Sequence, residues 1–87
     1  MVSQKVTVIN PTGLHARPAA VLAATARQFA SEIFVRSGSR KVDAGNVLAL
    51  MDAEITRGME ITVECIGEDE EEALQTLVQA VESGLGE

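Results

Sequence analysis

The sequence has no tryptophan and no tyrosine, and its only aromatics are Phe29 and Phe34. That leaves no set of stacking platforms for single-stranded nucleic acid. There is one cysteine and one histidine in 87 residues, so no internal disulfide and no zinc-type ligand cluster can form within the chain. The expectation is therefore that no metal and no other cofactor is held. Basic residues are few: seven Lys and Arg stand against thirteen Asp and Glu, for a net charge of -6. Duplex or membrane-surface binding, which needs clustered cations, is not expected. No run approaches the ~20 apolar residues that span a bilayer, and the first residues lack the pattern of a secretion signal. The reading is a cytoplasmic, monomeric protein, with residues 1–87 forming a single domain.

What the chain has is a Val, Ile, Leu and Ala core, at 46% apolar residues. Val2–Ile9 alternates and reads as a strand, stopped by Asn10-Pro11-Thr12-Gly13. Ala16 to Phe29 reads as a helix with Pro18 in its first turn, where a missing N–H costs nothing, and with Ala19, Leu22, Ala26 and Phe29 facing the core. Ile33–Arg36 and Arg40–Val42 form a hairpin turning at Gly38, the second strand short and basic as suits a sheet edge. Asn46 is placed to cap a short helix over Val47–Asp52. After Gly58, Ile61, Val63 and Cys65 alternate with Glu60, Thr62 and Glu64 in another strand, with Cys65 read as a small buried residue.

Seven of the acidic residues fall between Glu64 and Glu82. Within them Asp69 and Glu72 have capping-box spacing at the start of a last helix, so the acidic run reads as helix-dipole chemistry before it reads as a cation site. Ala73, Leu77, Ala80 and Val81, with Leu74 and Val78, make the inner stripe of that helix, and Gly84 closes it. The order βαββαβα implies an α+β open-faced sandwich: a four-stranded antiparallel sheet with three helices on one face.

Two features are left over. One is the pair of stripes that the core does not claim: Arg17, Ala20, Val21, Ala24 and Arg27 on the first helix, and Val47, Leu48 and Met51 on the second if Leu50 is the buried one. They are either an alanine-rich solvated face and loose packing, or one docking patch. The other is His15. It stands just ahead of a helix whose first N–H groups and positive end attract an anion, with Arg17 two residues on. The same terminus favours the neutral, nucleophilic imidazole. Without a phosphate-binding glycine loop or a magnesium carboxylate pair, such a site can hold a phosphoryl group but needs others to deliver and collect it.

The stretch Gly13-Leu14-His15-Ala16-Arg17-Pro18-Ala19 resembles the active-site signature of HPr, the histidine-containing phosphocarrier of the bacterial phosphoenolpyruvate:sugar phosphotransferase system. The likeness runs through Val47–Met51, Arg57-Gly58, Gly67–Glu70 and the ending Gly84-Leu85-Gly86-Glu87. It implies that His15 takes a phosphoryl group on Nδ1 from enzyme I and passes it to enzyme IIA proteins, that Arg17 and the amides of Ala16 and Arg17 steady it, and that Ala20, Val21, Ala24, Arg27, Val47, Leu48 and Met51 dock partners. Asn46 stands where many Gram-positive members have a regulatory serine, Ala49 where some enteric members have lysine, and Thr12 where an amide or acid is found in several members. A regulatory paralogue, whose phosphorylation state is read by a binding target, is the alternative.

Overall fold

The computed structural model describes residues 1–87. Seven elements follow in the expected order: β1 (Val2–Thr7), α1 (Ala16–Ala26), β2 (Glu32–Ser37), β3 (Arg40–Asp43), α2 (Val47–Asp52), β4 (Glu60–Ile66) and α3 (Glu70–Glu82). The four strands form one antiparallel sheet in the order β1-β4-β2-β3. β4 is thus an inner strand, paired to β1 with Val6 opposite Ile61 and to β2 with Val35 opposite Val63. The short basic β3 lies at an edge, as its composition predicts.

Alternation along the strands puts Val6, Ile33, Val35, Ile61, Val63 and Cys65 on the helix-covered face, all buried. Ala19, Leu22, Ala23 and Ala26 of α1, Leu50 of α2, and Ala73, Leu77, Val78 and Val81 of α3 close over them in one apolar cluster. α1 packs against α2 and α3, its buried alanines closing the apolar cluster that underlies the site at its start. Burial pushes the Cys65 thiol up to about 11, with the carboxylates of Glu70 and Asp69 adding to the effect. It is a packing residue.

On the uncovered face, Glu64 points away from the core as alternation demands, yet it is only 8% exposed. Arg36 Nε donates to it at 3.0 Å and Lys41 Nζ lies 3.5 Å away, the latter also 4.5 Å above the Phe34 ring. Chiefly through the Arg36 hydrogen bond, and against its own burial, the Glu64 carboxyl is held below its usual range.

Three expectations are corrected. The first strand ends at Thr7, not Ile9, because its partner turns away at Thr56–Met59; Val8 is still bonded to Met59 and Gly58, but outside the ladder. α1 ends at Ala26, not Phe29: the N–H groups of Gln28 and Phe29 bond three residues back, tightening the chain so that Phe29 is only half-buried. The capping box at Asp69 does not form. The Asp69 carboxylate instead accepts from the N–H of Ala30 at 2.9 Å and from the N–H and hydroxyl of Ser31 at 2.9 and 2.5 Å, groups that the tightened end of α1 leaves without helix partners. Glu70 takes over at the helix start, accepting from Gly67 N–H at 3.1 Å.

Candidate functional site

The loop that carries the histidine is clamped before α1 begins. Gly13 donates to Asn10 O at 2.9 Å and Leu14 donates to Ile55 O at 3.0 Å. Gly13 has φ +70°, and a Cβ there would lie 2.3 Å from Ile55 O and 2.8 Å from Thr56 Cα. Both backbone angle and space demand glycine. Leu14, 3% exposed, is driven into the core, so the next residue, His15, is turned outward with its side chain 42% exposed.

His15 occupies the cap position of α1 with extended backbone (φ −78°, ψ −169°), and its carbonyl accepts the first helical bond, from Ala19 N–H at 3.0 Å. Its side chain makes no capping bond. A capping side chain ordinarily takes the N–H of the second or third helical residue. Here the third is Pro18, which has none. Only the Arg17 N–H is left as a cap target and the ring does not take it, so the N–H groups of Ala16 and Arg17 stand uncapped at the positive end of the helix, where an anion would be favoured. The exposed Arg17 side chain adds a full positive charge to the same rim.

The partner of the ring is one that local sequence does not suggest. His15 Nε2 lies 3.0 Å from Glu87 Oε2. The other oxygen of that carboxylate accepts from Asn10 Nδ2 at 2.8 Å, and the same amide group donates to Gly84 O at 2.7 Å. The Asn10 amide foremost, then His15 and Arg17, hold the Glu87 carboxyl below its usual range despite some desolvation. Thr12, in contrast, is exposed and is not the ring's partner.

Seventy-two residues separate Glu87 from His15. The only local sign of a built approach was the buried-type residue Leu85 between two glycines. In the structure the N–H of Gly84 bonds Val81 O and that of Leu85 bonds Ala80 O, closing α3 in a Schellman turn. Gly84, Leu85 and Gly86 all have positive φ, at 90°, 51° and 84°.

The two helices that carry the unclaimed stripes, α1 and α2, pack on each other. Ala20 and Ala24 are exposed, Val21 and Val47 are half-buried, and Leu50 alone of α2 is in the core. Leu48 is 78% exposed and Met51 39%, an outward apolar pair on a helix of six residues. Arg27 is exposed but engaged: its Nε and Nη2 donate to Gly45 O at 2.9 and 2.7 Å, buckling the end of α1 to the loop before α2. Asn46 caps α2, its Oδ1 accepting from Ala49 N–H at 3.0 Å. No group of His, Cys, Asp and Glu side chains is placed to hold a metal ion, and no helix is long and apolar enough to cross a membrane.

Comparison with known proteins gives a single direction. Residues 2–83 match the family model PTS-HPr, described as the PTS HPr component phosphorylation site. The HPr-like protein Crh of Bacillus subtilis (strain 168) is 43% identical over 82 residues, covering 94% of this chain and 96% of its own length. The phosphocarrier protein HPr of Lysinibacillus sphaericus is 39% identical over 88 residues, covering both chains fully. The crystal structure of HPr-C-His from Thermoanaerobacter tengcongensis superimposes with a TM-score of 0.95 at 39% identity, covering 100% of this chain and 98% of that one. A crystal structure of Bacillus subtilis Crh, described as a dimer with a swapping domain, gives a TM-score of 0.78 at 42% identity, with 97% of each chain covered.

Proposed function

The chain belongs to the HPr family of the phosphoenolpyruvate:sugar phosphotransferase system, and from that premise we propose that His15 is its phosphoryl-carrying residue. It receives the group from phosphorylated enzyme I and hands it to enzyme IIA proteins during sugar uptake. The observation that supports this most directly is the exposed ring at an uncapped helix start, where Pro18 offers no N–H to be capped. A phosphoryl group on Nδ1 would meet the amides of Ala16 and Arg17 and the Arg17 guanidinium. With no nucleotide-binding loop in the sequence, the chain carries the group and does not turn over a substrate of its own. It acts in the cytoplasm as a monomer, although the Crh structure is a swapped dimer.

Incubation with phosphoenolpyruvate and a cognate enzyme I is expected to add one acid-labile phosphate per chain. A His15→Ala variant that still takes it up would overturn the assignment. In the same assay Arg17→Ala is expected to transfer more slowly.

Partner docking is assigned to Ala20, Val21, Ala24, Arg27, Val47, Leu48 and Met51. The exposure of Leu48 and Met51 on a helix that packs against α1 supports it. Leu48→Glu is expected to weaken enzyme I binding with an unchanged melting temperature; loss of stability with normal binding would return Leu48 to a packing role.

The second reading, a regulatory paralogue, draws on the likeness to Crh. Restoration of sugar uptake in a strain lacking its own carrier favours transport. Failure to restore it, with phosphorylation intact, favours regulation.

A further inference from the structure

We infer that Glu87, anchored by Asn10, is a positioning residue that fixes the tautomer of His15, keeping the ring proton on Nε2 and leaving Nδ1 as the bare nucleophile. The inference rests on the phosphocarrier reading of His15 and names what prepares that residue.

Three features of the structure carry it. First, a carboxylate 3.0 Å from Nε2 can only accept there, so the neutral ring must present Nε2–H, and a neutral imidazole with one nitrogen protonated has its lone pair on the other. Second, Glu87 is held from the far side. The Asn10 side chain is buried, and it directs both amide hydrogens at acceptors, Gly84 O and Glu87 Oε1, so its orientation has one sensible assignment. The consequence is that Asn10 Oδ1 is buried with no partner. Third, Glu87 is delivered by a built turn: Leu85 is 1% exposed in the core, and Glu87 N–H bonds Gly84 O at 3.0 Å.

The same contact serves the transfer itself. The Nδ1 lone pair forms the new N–P bond while the bond between phosphorus and enzyme I breaks, its electron pair leaving with the enzyme I side chain. No proton need leave the ring, which becomes a phosphoimidazolium still carrying Nε2–H. The Glu87 carboxylate lies against that developing positive charge and offsets it. Onward transfer reverses the sequence, and the ring returns to the Nε2–H tautomer.

The test combines ring 15N NMR of His15 in the unphosphorylated chain with the rate of phosphoryl uptake from enzyme I, for wild type, Glu87→Ala and Glu87→Gln. At a pH where the ring is neutral, wild type should show one fixed tautomer, with Nε2 protonated and Nδ1 bare. Glu87→Ala should move both ring shifts toward the exchanging average and slow uptake on the order of tenfold, and Glu87→Gln, whose carbonyl can still accept, should recover part of both. Ring shifts unchanged in Glu87→Ala overturn the inference whatever the rate does. Changed shifts with an unchanged rate overturn the positioning role. If wild type accepts no phosphoryl group at all, the carrier reading fails, and the ring shifts alone still decide whether Glu87 sets the tautomer.

Discussion

The starts of α1 and α2 are the same backbone structure finished in opposite ways. In each, an extended residue accepts the first helical hydrogen bond: His15 O from Ala19 N–H at 3.0 Å, Asn46 O from Leu50 N–H at 3.1 Å. The side chains then diverge. Asn46 takes the N–H of Ala49, the third helical residue; at α1 that residue is Pro18 and the ring of His15 turns away to Glu87. One helix start is sealed by its own sequence, and the other leaves its amides and positive end uncapped. A proline, usually read as a helix-starting convenience, here also removes the N–H that the His15 side chain would otherwise be placed to cap.

The start of α3 is a third solution. Its acidic residue Asp69 faces backward to the α1–β2 connection, and Glu70 closes on Gly67. The α2 start is therefore readable from its own sequence, whereas those of α1 and α3 need their partners assigned from tertiary structure, since helix-start chemistry alone does not say which groups His15 and Asp69 will serve.

The largest expected break in the comparison is Gly13→Ala. It requires φ +70° from a residue with a side chain and drives Cβ to 2.3 Å from Ile55 O, so the clamp under His15 must move. A loss of about 3 kcal/mol is expected. In a domain of this size that is a melting temperature lower by roughly 10–20 °C. A variant that melts normally would show that the loop can rearrange and that α1 is not held open by it.

Next in size is the acid response of the α3 start. The Ser31 hydroxyl, then the Ala30 and Ser31 N–H groups, hold the Asp69 carboxyl below its usual range. A carboxyl depressed in the folded state contributes stability that is fully present above its unfolded pKa and is lost as pH falls through the folded value. Asp69→Asn should therefore be less stable than wild type at neutral pH, with the gap closing below about pH 4. Urea titrations at several pH values measure it. A gap that stays constant across that range would mean the Asp69 contacts do not depend on its charge.

Much of this arrangement was legible in the chain, for identifiable reasons. Period-two alternation in Ile61, Val63 and Cys65 and helical spacing in Ala73, Leu77 and Val81 place both faces of the sheet and the inner stripe of α3. The seven-residue stretch around His15 marks the site because its parts are neighbours in sequence. What stayed hidden depends on pairs far apart in the chain. Asp69 satisfies Ser31 rather than its own helix, Arg27 is spent on Gly45, and Asn10 and Glu87 meet His15 only after Leu85 has been buried. A local rule assigns a polar side chain to its nearest orphan group; the folded chain assigns it to the most urgent one within reach.

The smallest expected effect sharpens the comparison at α2. Asn46→Ala removes the acceptor for Ala49 N–H and should cost about 1 kcal/mol, while Asn46→Ser, another good cap, should stay within about 0.5 kcal/mol of wild type. Neither should alter phosphoryl uptake at His15, because the α1 start is finished independently. Urea midpoints and the uptake assay check the two halves. If Asn46→Ser proves as stable as expected, folding imposes no choice between amide and hydroxyl at this cap, and the absence of a phosphorylatable residue there is a property of function. If it is markedly less stable, the Asn46 carboxamide has a structural duty beyond the cap, and the contrast between a sealed start and an open one would have to be restated in terms of that second contact.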